Sequence, residues 1–158
     1  MPNVPSRPSG WHTVTPSITV RNAAAAIDFY KRAFGAEELT RMVGPEGKIA
    51  HAELRIGDSI LMLNDEFDWG MCKAPQTLDG TTGVLHLYVP DVDAAFEQAI
   101  RAGGQVRLPV ADMFWGDRYG DLVDPFGHVW GLATHKEDLT TEEIQERARE
   151  WYAKMSAA

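Results

Sequence analysis

The 158-residue chain has one cysteine, Cys72. No intrachain disulfide can form, and a reducing compartment is expected. The chain also lacks any cluster of Lys and Arg. Its 15 basic residues stand against 23 acidic ones, a formal net charge of −8 at pH 7. That balance argues against nucleic acid or an anionic membrane as a partner. No long apolar run opens the chain, because MPNVPSRPSGW holds four Pro or Gly among its eleven residues. Neither a signal peptide nor a membrane anchor is expected there, and the cytoplasm is the expected location. The remaining make-up, 44% hydrophobic and 24% charged, suits one soluble globular domain with a proper core.

An internal repeat organises the sequence. SITVRNAAAAIDFYKRAFGAEE aligns with HLYVPDVDAAFEQAIRAGGQVR, so that Val20 falls on Val89, Arg32 on Arg101 and Gly35 on Gly104, each pair 69 apart (89 − 20). The same shift carries GDSILMLND onto FGHVWGLAT. Each copy reads as β-α-β-β-β. A strand of period two comes first, with Val14, Ile18 and Val20 alternating with polar residues in one copy and Leu85, Leu87 and Val89 in the other. A helix follows, with Ala23, Ile27, Tyr30 and Phe34 on one stripe, and Val92, Phe96 and Ala99 on its counterpart. Asn22 and Asp91 read as N-caps, and Gly35 and Gly103–Gly104 as stops. Three further strands complete each copy, at about 37–43, 50–56 and 60–63, then 105–110, 118–123 and 129–133, with turns at GPEG, GD and DPFG.

The predicted organisation is an N-terminal extension (1–12), one domain (13–135) made of module 1 (about 13–66) and module 2 (about 83–135), and a C-terminal helix (138–156). The joining segment 64–83 reads as a loop, with Trp69 and Cys72 in DEFDWGMCKAPQ able to cover a pocket. In the last helix Thr140 and Glu143 form a capping box. Ile144, Ala148, Trp151 and Met155 form an apolar stripe that is expected to be buried on its own domain or on a partner subunit.

The duplicated unit, with AIDFYKRAFGAEE in its first helix and DPFGH before its last strand, resembles the vicinal oxygen chelate superfamily. That superfamily includes glyoxalase I, extradiol dioxygenases, fosfomycin-resistance proteins and bleomycin-binding proteins. IAHAELRIGDSILMLNDE and MFWGDRYGDLVDPFGHVWGLATH are most similar to its PhnB-like branch. The resemblance implies an α+β fold in which two tandem βαβββ modules curl their mixed sheets into a cup, the glyoxalase/bleomycin resistance fold. It also implies a homodimer, in some members with exchanged modules.

In metal-using members an ion sits in the cup, held by the first and last strands of each module. Matching the glyoxalase I pattern places those positions at Thr15, Met62, Val84 and Gly131, and the repeat relates them in pairs, 69 apart (84 − 15 and 131 − 62). A divalent ion needs several N, O or S donors aimed at one point. A hydroxyl, a thioether, methyl groups and a glycine hydrogen do not supply that. No cofactor is therefore expected at the inherited site, and neither glyoxalase I nor dioxygenase chemistry, which need the metal as Lewis acid. A displaced divalent metal is the alternative. His86 shares the face of Val84, while His51 and Glu53 share the polar face of their strand, which is either the cup or solvent. These three residues would form the displaced site or act as a general base. His12 and His128 are expected at the surface.

The predicted cup wall is mostly apolar, with a few hydroxyls and one imidazole. It comprises Thr15, Ser17, Thr19, Ile60 and Met62 from module 1, and Val84, His86, Tyr88, Val129 and Gly131 from module 2. Phe114, Trp115, Arg118 and Tyr119 stand beside it as aromatic and cationic contacts, with Arg118 meeting an anionic group or pairing with Asp117 or Asp121. Trp130, of opposite parity to Gly131, is expected in the core. Two functions follow. One is a binding protein that holds a small aromatic or carbonyl-containing molecule without metal. The other is a lyase-, isomerase- or dioxygenase-like enzyme that works through His86, His51 and Glu53.

Overall fold

The computed structural model describes residues 4–156, so residues 1–3 of the expected N-terminal extension lie outside it. Module 1 runs β1 (Ser17–Val20), α1 (Ala23–Phe34), β2 (Glu37–Val43), β3 (Ile49–Ile56) and β4 (Ser59–Asp65). A short helix, α2 (Pro75–Leu78), interrupts the joining segment that the sequence suggests is a loop. Module 2 runs β5 (Val84–Tyr88), α3 (Val92–Ala102), β6 (Gln105–Asp112), β7 (Asp117–Val123) and β8 (Val129–His135), and α4 (Thr141–Ser156) follows. The two sheets have the same plan, β1-β4-β3-β2 and β5-β8-β7-β6, with the first strand parallel to the last and the rest antiparallel. The α+β architecture expected from the repeat is the one observed.

Local chemistry sets the helix ends. The Asn22 carboxamide accepts from the Ala25 amide at 3.1 Å, and Gly35 takes the left-handed conformation (φ 65°) that ends α1. Asp91 caps α3 through the Ala94 amide. A second brace comes from each module's last strand. Asp65 Oδ1 accepts from the Ala23 amide at 2.8 Å, and Thr134 Oγ1 accepts from the Val92 amide at the same distance. Asp65 and Thr134 are themselves 69 apart (134 − 65).

α1 and α3 pack against each other, and one continuous apolar cluster takes side chains from both modules. Ile27, Tyr30 and Ala33 of α1 meet Phe96, Ala99, Leu122 and Trp130 there. Trp130 is 1% exposed, with its ring 4.4 Å from Phe34 and 5.1 Å from Tyr30, so its expected core position holds. At the centre lies Asp124, a buried carboxylate in the DPFG turn. Its Oδ2 accepts from the Tyr30 hydroxyl (2.7 Å) and the Trp130 indole N–H (2.9 Å). Its Oδ1 accepts from the Phe126 and His128 amides (2.8 and 2.9 Å). Burial first, and the Asp124 charge second, hold the Tyr30 phenol well above its ordinary titration range.

One expectation needs correction and two are refined. β1 begins at Ser17, and Val14 is 82% exposed instead of alternating inward. The pairing of β1 with β4 starts at Ser17↔Met62, and Pro16 has no N–H to extend the ladder. The repeat shift drops to 68 in the third strands, where Glu53 opposite Met62 matches Asp121 opposite Gly131 (121 − 53), because the turn before β8 is one residue longer. In α4, Ile144 and Ala148 are half-buried and Trp151 lies against Phe114, while Met155 is exposed, so its own domain covers the stripe only in part. The Thr140–Glu143 capping box forms as expected, with the Glu143 carboxylate 2.8 Å from the Thr140 amide.

Tyr30→Phe should destabilise the fold by about 1.5–3 kcal/mol in urea denaturation, the worth of one hydrogen bond to a buried charge. Asp124→Ala, which leaves four donors unpaired, should cost more than about 3 kcal/mol.

Candidate functional site

The helices cover one face of each sheet, and strand alternation decides what the other, open face carries. On β5, Val84, His86 and Tyr88 are exposed, while Leu85 and Leu87 turn toward the core. The β7–β8 register places Asp121 opposite Gly131, Tyr119 opposite Ala133 and Asp117 opposite His135, all on this open face. In module 1, Ser17 pairs with Met62 and Met62 with Glu53, whereas Ala52, Leu54, Leu61 and Leu63 fill the core side. His51 and Glu53 therefore belong to the open face, and the His51 Nε2 lies 3.0 Å from Glu53 Oε1.

Aromatic rings form a continuous row on module 2. Tyr88 lies 4.8 Å from His86 between centroids, and His86 is stacked on Tyr119 at 5.6 Å with 7° between planes. Trp115 adjoins Tyr119 at 5.7 Å and Phe114 at 5.0 Å, and Phe114 reaches Trp151 of α4 at 5.6 Å. Two buried carboxylates lie beneath the row. Asp117 accepts from the Tyr88 hydroxyl (3.1 Å), the Trp115 indole (3.2 Å) and His135 Nδ1 (2.7 Å). Asp121 accepts weakly from the Tyr119 hydroxyl (3.3 Å). Its other oxygen lies 3.0 Å from Arg107 Nε as an ion pair but has no hydrogen bond. Burial, then the Asp121 charge, raises the Tyr119 phenol above its ordinary range, and burial followed by Asp117 raises that of Tyr88.

Two clefts follow β5, whose outer edge has no partner strand. One, about 1080 Å³, separates Val84, His86 and Tyr88 from Pro16, Ile60 and the C-terminal end of α1. The other, about 560 Å³, lies between Ser17 and Thr19 of β1 and Val84 and Val129 of module 2, under Cys72 and Leu78. Met62, Trp115, Tyr119 and Gly131 line neither cleft; Met62, Tyr119 and Gly131 belong to the open faces, and Trp115 lies in the turn between β6 and β7. Thr15 precedes β1, and its hydroxyl donates to the His12 carbonyl at 3.2 Å.

Arg118 is a correction. It pairs with neither Asp117 nor Asp121, but grips Asp93 of α3 at 2.7 and 2.8 Å and Asp112 at 3.1 Å. Adjacent strand residues point to opposite faces, so the parity that gives Tyr119 to the open face sends Arg118 to the helix side. His128 is part-buried rather than superficial, with its Nε2 3.0 Å from the Thr19 carbonyl, bridging the modules. His12 is exposed beside Asp58. Trp69 is 77% exposed and stacks on Phe67.

The four positions matching the family's metal ligands do not fit a divalent ion, since none offers a donor of adequate strength. At Gly131 a side chain would also have to displace its neighbours. A Cβ there would lie 2.8 Å from Cε2 and the hydroxyl oxygen of Tyr119 and 3.2 Å from His86 Nδ1. His51 and Glu53 are brought together, but His86 does not join them. Among the described residues no group of three or more His, Cys, Asp or Glu side chains is disposed to hold an ion. Asp117, Asp121, Arg107 and His135 are members of this site that sequence reasoning missed. The signal for the two carboxylates was present, because both lie two residues from Tyr119 on one strand.

A pair of βαβββ modules with α1 and α3 side by side and an open face on each sheet defines the glyoxalase-type fold. The sequence profile of the Glyoxalase/Bleomycin resistance protein/Dioxygenase superfamily matches residues 12–132, and the chain belongs to that superfamily. An uncharacterized protein of Mycobacterium tuberculosis is 46% identical over 135 residues, covering 84% of this chain and 79% of its own. The crystal structure of TioX from Micromonospora sp. ML1 is similar at a TM-score of 0.63 and 28% identity, covering 78% of this chain and 98% of TioX. The PhnB protein of Bacillus cereus shares the fold at a TM-score of 0.60 and 18% identity, over 78% of this chain and 99% of its own. No helix among the described residues is long and apolar enough to cross a membrane.

His135 bridges Asp117 and, at 3.0 Å through Nε2, Asp138 in the lead into α4. Its hydrogen bonds to Asp138 and then Asp117 raise its pKa above the ordinary 6.5. The imidazolium bridge is thus fully formed below about pH 6.5 and is lost as pH rises through the raised value. The melting-temperature gap between wild type and His135→Gln should be widest near pH 5.5 and close toward pH 8.5.

Proposed function

We propose that this protein binds a small aromatic or carbonyl-containing molecule in the cup, without the divalent metal used by other members of its superfamily. The row of rings from Tyr88 through His86, Tyr119 and Trp115 carries the reading, since it offers a planar guest stacking surface beside a few directed polar groups. The ligand contacts are assigned to Thr15, Ser17, Met62, Val84, Tyr88, Trp115, Tyr119 and Gly131. Arg118 is left out because its guanidinium is spent on Asp93 and Asp112. The protein acts in the cytoplasm as a homodimer, with neither nucleic acid nor membrane as partner. The exposed Trp151, Tyr152 and Met155 of α4 support self-association.

A second reading rests on the His51–Glu53 pair. An imidazole 3.0 Å from a carboxylate on the open face is suited to act as a general base toward an acidic C–H or O–H of a bound substrate.

Calorimetric titration with planar aromatic compounds tests the first reading. Trp115→Ala and Tyr88→Ala should each weaken binding about tenfold, while His51→Ala leaves it unchanged. Turnover of a bound compound that disappears in both His51→Ala and Glu53→Gln would establish the enzyme instead. Stoichiometric metal in the purified protein, lost on His86→Ala, would end the metal-free reading. Light scattering should give twice the chain mass.

A further inference from the structure

The crowding at Gly131 assigns a role to the side chains that cause it. We propose that the Tyr119 hydroxyl and the His86 imidazole occupy the seat of the superfamily's metal ligand at Gly131 as a recognition point for a neutral carbonyl oxygen on a planar ligand. This rests on the cup-binding reading and names the polar contact within it.

Any ligating side chain at position 131 would project into the volume that holds the Tyr119 ring and the His86 Nδ1 edge. The two rings are nearly parallel, which keeps their polar atoms side by side over the glycine. Neither is saturated. The Tyr119 hydroxyl has only the 3.3 Å contact with Asp121, longer than a good O–H···O bond of about 2.5–3.0 Å, so it is free to turn to a better acceptor. Among the described residues, no hydrogen-bond partner engages His86. The phenol stays protonated near neutral pH because burial and Asp121 both oppose its ionisation. A phenol O–H and an imidazole N–H aimed at one oxygen polarise it as a metal would, only more weakly. Arg107 pairs with Asp121 and His135 with Asp117, so these two cations are already engaged and a neutral carbonyl suits the face better than a carboxylate.

Coumarin and naphthalene, planar probes of similar size with and without a carbonyl, test this by calorimetry and by ring NMR of His86, Tyr88 and Trp115. The wild-type ratio of coumarin to naphthalene affinity should fall about fivefold in Tyr119→Phe. Gly131→Ala should lower the ratio in the same way by displacing the ring, and Tyr119→Phe decides alone if that variant does not fold. Wild type should keep its ratio in excess EDTA and bind coumarin-3-carboxylate more weakly than coumarin. A ratio unchanged in Tyr119→Phe, or one lost in EDTA, would overturn the proposal while leaving cup binding intact. If neither probe moves the ring resonances, the proposal and the cup-binding reading both fall.

Discussion

The Asp124 carboxylate is the interaction on which the rest of the structure hangs. It is buried, and its four acceptor contacts come from three places: the turn it begins, the indole of β8 and the phenol of α1. A buried carboxylate is tolerable only with its oxygens satisfied, so each donor is held in place by the cost of leaving the charge bare. Because Tyr30 belongs to module 1 and the other donors to module 2, one side chain joins the two halves. It also reaches the open face from behind. Trp130 is pinned by its N–H on the core side, which fixes the turn of β8 and presents Gly131 to the opposite side.

The duplication set the frame, and the two copies then diverged in chemistry. Asp65 and Thr134 hold corresponding helix starts from corresponding strand ends, one with a carboxylate and one with a hydroxyl. His51–Glu53 in module 1 is matched in place by Tyr119–Asp121 in module 2. A polar pair thus recurs on each open face, but only module 2 surrounds it with further rings. The sheet pairing is common property, while the site is built from the differences.

Much of the fold was legible because periodicity and caps are local. The stripes of α1 and α3, the Asn22 and Asp91 caps, the Gly35 stop and the 69-residue shift follow from neighbouring residues. The four family positions came from the resemblance, with the repeat pairing them, and the face of His86 followed from alternation. What stayed hidden depended on contacts across the sheet. The choice between cup and solvent for His51 and Glu53 needed the β3–β4 register. The partners of Arg118 needed the approach of α3. The start of β1 turned on where its pairing with β4 begins. Tyr119 and Gly131 were both recognisable as site residues, but eleven intervening residues concealed that one fills the space beside the other.

That close approach also limits how this protein can change over generations. A metal-binding side chain at position 131 would first have to push the phenol aside, so gaining it disturbs the ring row. Removing the phenol first would open a hole in the ring row with nothing to fill it. The two positions are thus best altered together. Position 131 and position 119 are therefore coupled: what one can become depends on what the other is.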